Sequence, residues 1–134
     1  MTTKNILRIC CDIMGRDITE KRKTNALVFL RAVYYRVCFE NGFEKTDMAR
    51  SCGKRHATSI HGLKIFDRDI VDEKSKFHKP YFHIYRDCSA AVKAAIEMER
   101  EYADKIEELT DRIERVEKKL KIYNEYDVVF EIIV

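Results

Sequence analysis

Between Val92 and Tyr123 one set of positions steps along the chain by alternating threes and fours: Val92, Ala95, Glu99, Tyr102, Ile106, Leu109, Ile113, Val116, Leu120 and Tyr123. An α-helix gathers residues at that spacing onto one side. The pattern therefore predicts a single long helix from about Tyr81 to Tyr123, with Pro80 suited to its first turn. Acids standing four residues before bases, as in Glu101–Lys105, Glu108–Arg112 and Glu114–Lys118, support a helix from its flank. Glu99 is the one polar fault in the seam. Only a narrow stripe is apolar, so Tyr102, Ile106, Leu109, Ile113, Val116, Leu120 and Tyr123 are read as the seam of a homodimeric coiled coil. The competing possibility is a helix folded back as a cap on its own domain. Ile106 and Ile113 at a, Leu109 at d, and Arg112 facing Glu117 of the partner favour a parallel pair, with an antiparallel one left open.

The rest of the chain reads as helical too. It holds one Pro and four Gly, and shows little β-type alternation before residue 126. Ile6, Leu7, Ile9, Cys10, Ile13 and Met14 keep helical spacing up to Gly15. A polar connector with Ile18 as its anchor follows, and then a helix from about Thr24 through Cys38 that Asn41-Gly42 closes. A short helix over Lys45–Ser51, a turn at Cys52-Gly53 and a second helix make a helix-turn-helix pattern. Asp67–Lys79 is aperiodic and charged and is read as a linker, with His78 and His83 as surface residues. The expected fold is an all-α helical bundle with a helix-turn-helix, followed by a long C-terminal coiled-coil helix. The expected division is a helix-turn-helix domain over 1–79 and a dimerisation region over 80–134. The tail from Asp127 to Val134 is β-prone and almost uncharged, and is expected to add a strand to a partner or to tuck into a groove.

The second helix of the pattern carries the chemistry. The segment SCGKRHATSIHGLKIF (51–66) contains Lys54, Arg55, His56, His61 and Lys64 and no acid. Ile60, Leu63 and Phe66 can face a core, which leaves Lys54, Arg55, Ala57, Thr58 and His61 outward. Cations and helix-terminal N–H groups hold phosphates, and short polar side chains read base edges in a major groove. A solvated basic surface helix is the plainer reading. The whole chain is only +3, yet residues 1–80 hold 17 Lys or Arg against 10 acids, whereas residues 81–134 hold 9 against 13. That asymmetry suits a first half that meets a polyanion and a second that meets protein.

These residues resemble the C-terminal DNA-binding domain of DnaA, the bacterial replication initiator, over Lys23–Phe66. Two pieces carry the likeness. GKRHATSIHGLK (53–64) parallels the family's Gly-Arg-Asp-His-Thr-Thr-Val-x-His signature, and LRAVYYRV (30–37) parallels the Arg-bearing helix before it. His56, Thr58 and His61 are its most specific part. The resemblance implies base and phosphate contacts by Lys54, Arg55, His56, Ala57 and Thr58. It also implies a minor-groove role for Lys23 and a phosphate contact for Arg31. Arg50 and Lys64 would add phosphate contacts, and Lys21, Arg22 and Lys23 a basic arm. The chain departs from the signature at Ala57 and at the missing Asp, so the target sequence need not be the family's. No Gly-x-x-x-x-Gly-Lys-Ser/Thr loop is present for a nucleotide. The likeness implies a free-standing double-stranded DNA-binding module of a phage or mobile element, acting in replication or transcription control.

Several function classes are disfavoured. Cys10, Cys11, Cys38, Cys52 and Cys88 form no CxxC pair and sit among apolar neighbours, as small core residues in a reducing cytoplasm do. A zinc site from Cys52, His56 and His61 would match no known finger spacing, and neither metal nor cofactor is expected. No run is long and apolar enough for a membrane span, and no signal peptide is read at the start. No catalytic residues are assigned, because the histidines have no nucleophile at a recognisable spacing. The alternative function is a non-enzymatic assembly protein, such as a virion or scaffold component, working through the coiled coil and tail.

Overall fold

A computed structural model describes the backbone of residues 1–133 and the side chains of residues 1–126. Among the described residues the regular elements are all helical: α1 (Thr3–Met14), α2 (Asn25–Glu40), α3 (Lys45–Ser51), α4 (His56–Ile65) and α5 (His78–Ile133). A single π-helical turn, Phe66–Ile70, continues α4 and closes with Val71 N–H donating to the Phe66 carbonyl at 3.0 Å. The all-α expectation holds.

The helix ends follow local chemistry. Thr2 caps α1 by accepting from Asn5 N–H, and Thr24 caps α2 by accepting from Leu27 N–H. Each satisfies one of the donors a helix start leaves open. The turn between α3 and α4 is a Schellman closure: Lys54 N–H reaches the Ala49 carbonyl at 2.9 Å and Gly53 N–H the Arg50 carbonyl at 2.9 Å. Gly53 makes it possible, because its φ of 69° lies where a Cβ would be strained.

Helix α2 is the centre of the bundle. Leu27, Leu30, Ala32, Val33, Tyr34, Tyr35, Val37 and Cys38 are buried on nearly every side of it, as in a helix enclosed by others. Ile6 and Cys10 of α1, Met48 of α3, Leu63 and Ile65 of α4, and Phe66 and Ile70 of the π turn cover it. Burial pushes the Cys38 and Cys52 thiols up to about 12, which holds both protonated.

The first turns of α5 belong to this core. Phe77, just before α5, stacks on Phe29 at 4.2 Å, Phe66 meets Tyr85 of α5 edge-on at 4.9 Å, and Cys88 and Val92 are fully buried. The Tyr85 hydroxyl donates to the Glu40 carboxylate at 2.5 and 2.6 Å. Its pKa is pushed up to about 12, first by burial and then by that carboxylate. The compact units are consequently Met1–Ile96 and Glu97–Val134, and the division expected after residue 79 falls inside the first. His78 and His83 lie on α5 and not in a linker. His78 Nδ1 lies 2.7 Å from the Ile70 carbonyl, while His83 is exposed 3.5 Å from Asp87.

From Glu97 to Tyr126 every side chain on α5 is exposed. Over Asp127–Ile133 the backbone is helical; the side chains there, and with them the expected strand addition or groove docking of the tail, lie outside the described residues. Among the described residues no helix is long and apolar enough to cross a membrane.

One contact sets how closely α4 approaches α2. Gly62 faces the Tyr35 ring so tightly that a Cβ there would overlap its edge. Gly62→Ala gains about 1 kcal/mol of helix propensity, but Tyr35 is fully buried and has little room to move. The expected net effect is a loss of roughly 1–2 kcal/mol in stability from overpacking. A urea titration giving an unchanged or raised midpoint would refute it.

Candidate nucleic-acid interface

Helix α4 divides by side. Ser59, Gly62, Leu63 and Ile65 are buried, while Arg55, His56, Ala57, Thr58, His61 and Lys64 are exposed. The inward face differs slightly from the one expected. Ser59 takes the innermost position of the first turn and Ile60 is only half-buried. Ser59 could be placed there because its hydroxyl lies 2.8 Å from both the Lys45 and His56 carbonyls, so the buried oxygen is satisfied. That contact also ties the start of α4 to the start of α3. The inward series 59, 62, 63, 66 and 70 keeps helical spacing, but a serine in it gives no apolar signal.

The start of α4 is open. Arg55 occupies the cap position in extended conformation with no side-chain cap hydrogen bond, and the first turn holds no acid. Its first N–H groups and the positive end of the helix dipole thus face outward beside Arg55 and His56. An anion is the natural complement of such an end.

Beside it lies a cleft of about 370 Å³. Lys23, from the segment before α2, meets Lys54, Ala57, Thr58 and His61 around it, with Arg31 at its wall and Val28 and Ile65 as apolar lining. Six of the ten residues singled out in the sequence therefore converge here. Arg55 and His56 stand at the head of the same helix and Lys64 is exposed near its end. His56 also borders a hollow formed with Phe39, Phe43 and Glu44. Arg50 stands apart. It is exposed on α3 and lines a different hollow with Thr2, Lys4 and Asp47.

Arg31 is the main correction. The resemblance implied a phosphate contact, yet its side chain is only 4% exposed. Its Nε donates to the Ile18 carbonyl at 2.7 Å, Nη1 and Nη2 each reach the Arg22 carbonyl at 3.3 Å, and Nη2 also bonds the Glu20 carbonyl. The guanidinium fork is thus spent on the backbone of the connector between α1 and α2. It fixes the segment that presents Lys21, Arg22 and Lys23, all of which are exposed. Sequence spacing cannot show this, because the acceptors are carbonyls of an irregular segment.

The possible metal ligands do not converge. Cys52 is buried while His56 and His61 are exposed, and no group of three or more potential ligands forms among the described residues. On the second unit the seam residues remain exposed, from 43% at Leu109 to 66% at Tyr123.

No family model, curated protein or solved structure matches the chain.

Proposed function

We propose that this protein is a sequence-preferring double-stranded DNA-binding protein whose recognition helix is α4, working as a homodimer through α5. The carrying observation is that an uncapped, acid-free helix start exposes Arg55, His56, Ala57 and Thr58 beside a cleft shared with Lys23 and Lys54. In this reading α4 lies in the major groove with Arg55, His56 and Thr58 on base edges. Lys54, Lys64 and the open N–H groups take phosphates, and Lys21–Lys23 form the arm at an adjacent groove. Arg31 acts indirectly by holding that arm. The likeness of residues 53–64 to the DnaA signature supports the same assignment and suggests replication or transcription control in a phage or mobile element. Ala57 and the absent acid set its target apart from the family's.

Arg55→Ala and His56→Ala are each expected to cost about 1–3 kcal/mol on a site selected from a random DNA pool, and much less on unrelated duplex. Equal losses on both duplexes would reduce these residues to phosphate contacts. Wild-type affinity in both variants would remove α4 as the reader.

A second reading, an assembly or scaffold protein, is favoured by one observation, the long exposed apolar stripe on α5. Retention on a calf-thymus DNA column that salt reverses separates the two. DNA binding requires it, and scaffolding does not.

A further inference from the structure

The edges of the α5 stripe carry an orientation signal beyond its apolar spacing. With Ile106, Ile113 and Leu120 at a, the g edge holds Lys105, Arg112 and Lys119 and has no acid over those heptads. The e edge holds Thr110, Glu117 and Asn124 and has no base. All of these side chains are exposed, and the Thr110 hydroxyl is already satisfied by the Ile106 carbonyl at 2.8 Å. In a parallel pair each g residue meets the e residue of the next heptad on the other chain. Lys105 then faces Thr110, Arg112 faces Glu117 and Lys119 faces Asn124, with no like charges together. In an antiparallel pair centred on Arg112, g meets g. Arg112 would face its own copy and Lys105 would face Lys119, so every such contact is repulsive.

We propose that α5 pairs with α5 of a second copy in parallel and in register, so that the DNA target is an inverted repeat. Parallel pairing brings the two copies of residues 1–96 to the same end of the coiled coil. A two-fold pair of readers engages half-sites related by the same two-fold. Antiparallel pairing would instead put the readers at opposite ends, with roughly 50 Å of helix between them. The orientation stands on the α5 edges alone, and only the inverted repeat rests on the DNA-binding reading.

Cysteine cross-linking in the full-length chain tests the orientation without DNA. Ile106→Cys and Leu120→Cys are each treated with diamide, alone and as a mixture in which one variant carries a size tag, with the unaltered chain as control. Both variants alone are expected to give disulfide-linked dimers, and the mixture no 106–120 cross-link. A 106–120 cross-link in the mixture, with neither variant linking to itself, would overturn parallel pairing. No cross-link beyond the control in any arm would overturn pairing through α5. Selection from a random DNA pool supplies the second readout, and the expected product is two half-sites in inverted orientation. Recovery of single sites or direct repeats would overturn the repeat. Parallel cross-linking with no DNA recovered would leave the orientation standing and remove the DNA-binding reading, and with it the repeat.

Discussion

Ile113→Asp is expected to turn a dimer into a monomer while leaving residues 1–96 folded. Ile113 sits mid-seam and is 58% exposed in the single chain, so the substitution disturbs nothing within the first unit. Pairing would bury two carboxylates against each other at the centre of an apolar interface, at a cost of several kcal/mol for each ion. A total of roughly 4 kcal/mol or more corresponds to a thousandfold weaker dimer. The effect on DNA follows, because linked readers gain effective concentration on paired half-sites and a monomer does not. Light scattering across a dilution series reads the mass directly. A monomer mass for the unaltered chain at tens of micromolar would mean that the stripe does not pair.

Arg31→Ala is expected to destabilise the first unit by roughly 3 kcal/mol. Hydrogen bonds to a charged group are worth more than neutral ones, and an orphaned buried acceptor adds its own penalty. The truncation leaves the carbonyl of fully buried Ile18 unpaired and releases those of Glu20 and Arg22. Arg31→Lys should rescue little, since one ammonium cannot span acceptors on three residues as the planar fork does. Freed from its anchor, the Lys21–Lys23 segment should also contact DNA less well, weakening binding to all sequences alike. A urea midpoint read beside the salt dependence separates this from direct phosphate contact. An unchanged midpoint with a log–log salt slope reduced by about one would mean that Arg31 touches the backbone itself.

The contrast between Arg31 and Gly53 shows what was legible in the chain. Gly15, Thr24, Asn41-Gly42 and Gly53 mark helix ends through local chemistry, and the observed ends fall there. The exposed face of α4 was legible for the same reason, since its cations and apolar residues separate at helical spacing. Arg31 was not, because a buried arginine is licensed by carbonyls that only the folded connector supplies. The same holds for Gly62, whose lack of a side chain matters only once Tyr35 lies against it. The boundary at Ile96 was hidden more thoroughly. Val92 and Tyr102 occupy one continuous three-four pattern, yet Val92 is fully buried within its own unit and Tyr102 is 61% exposed. A heptad records that a helix has an apolar side, not which surface covers it.

The most direct test of α4 as a DNA reader is the equilibrium affinity of the intact chain for a selected duplex and for a shuffled duplex of equal length, measured across a salt series. Specific recognition predicts at least about a thousandfold tighter binding to the selected duplex at physiological salt, with steep weakening on both as salt rises. Equal affinity for the two duplexes, or no salt-dependent binding to either, would contradict it.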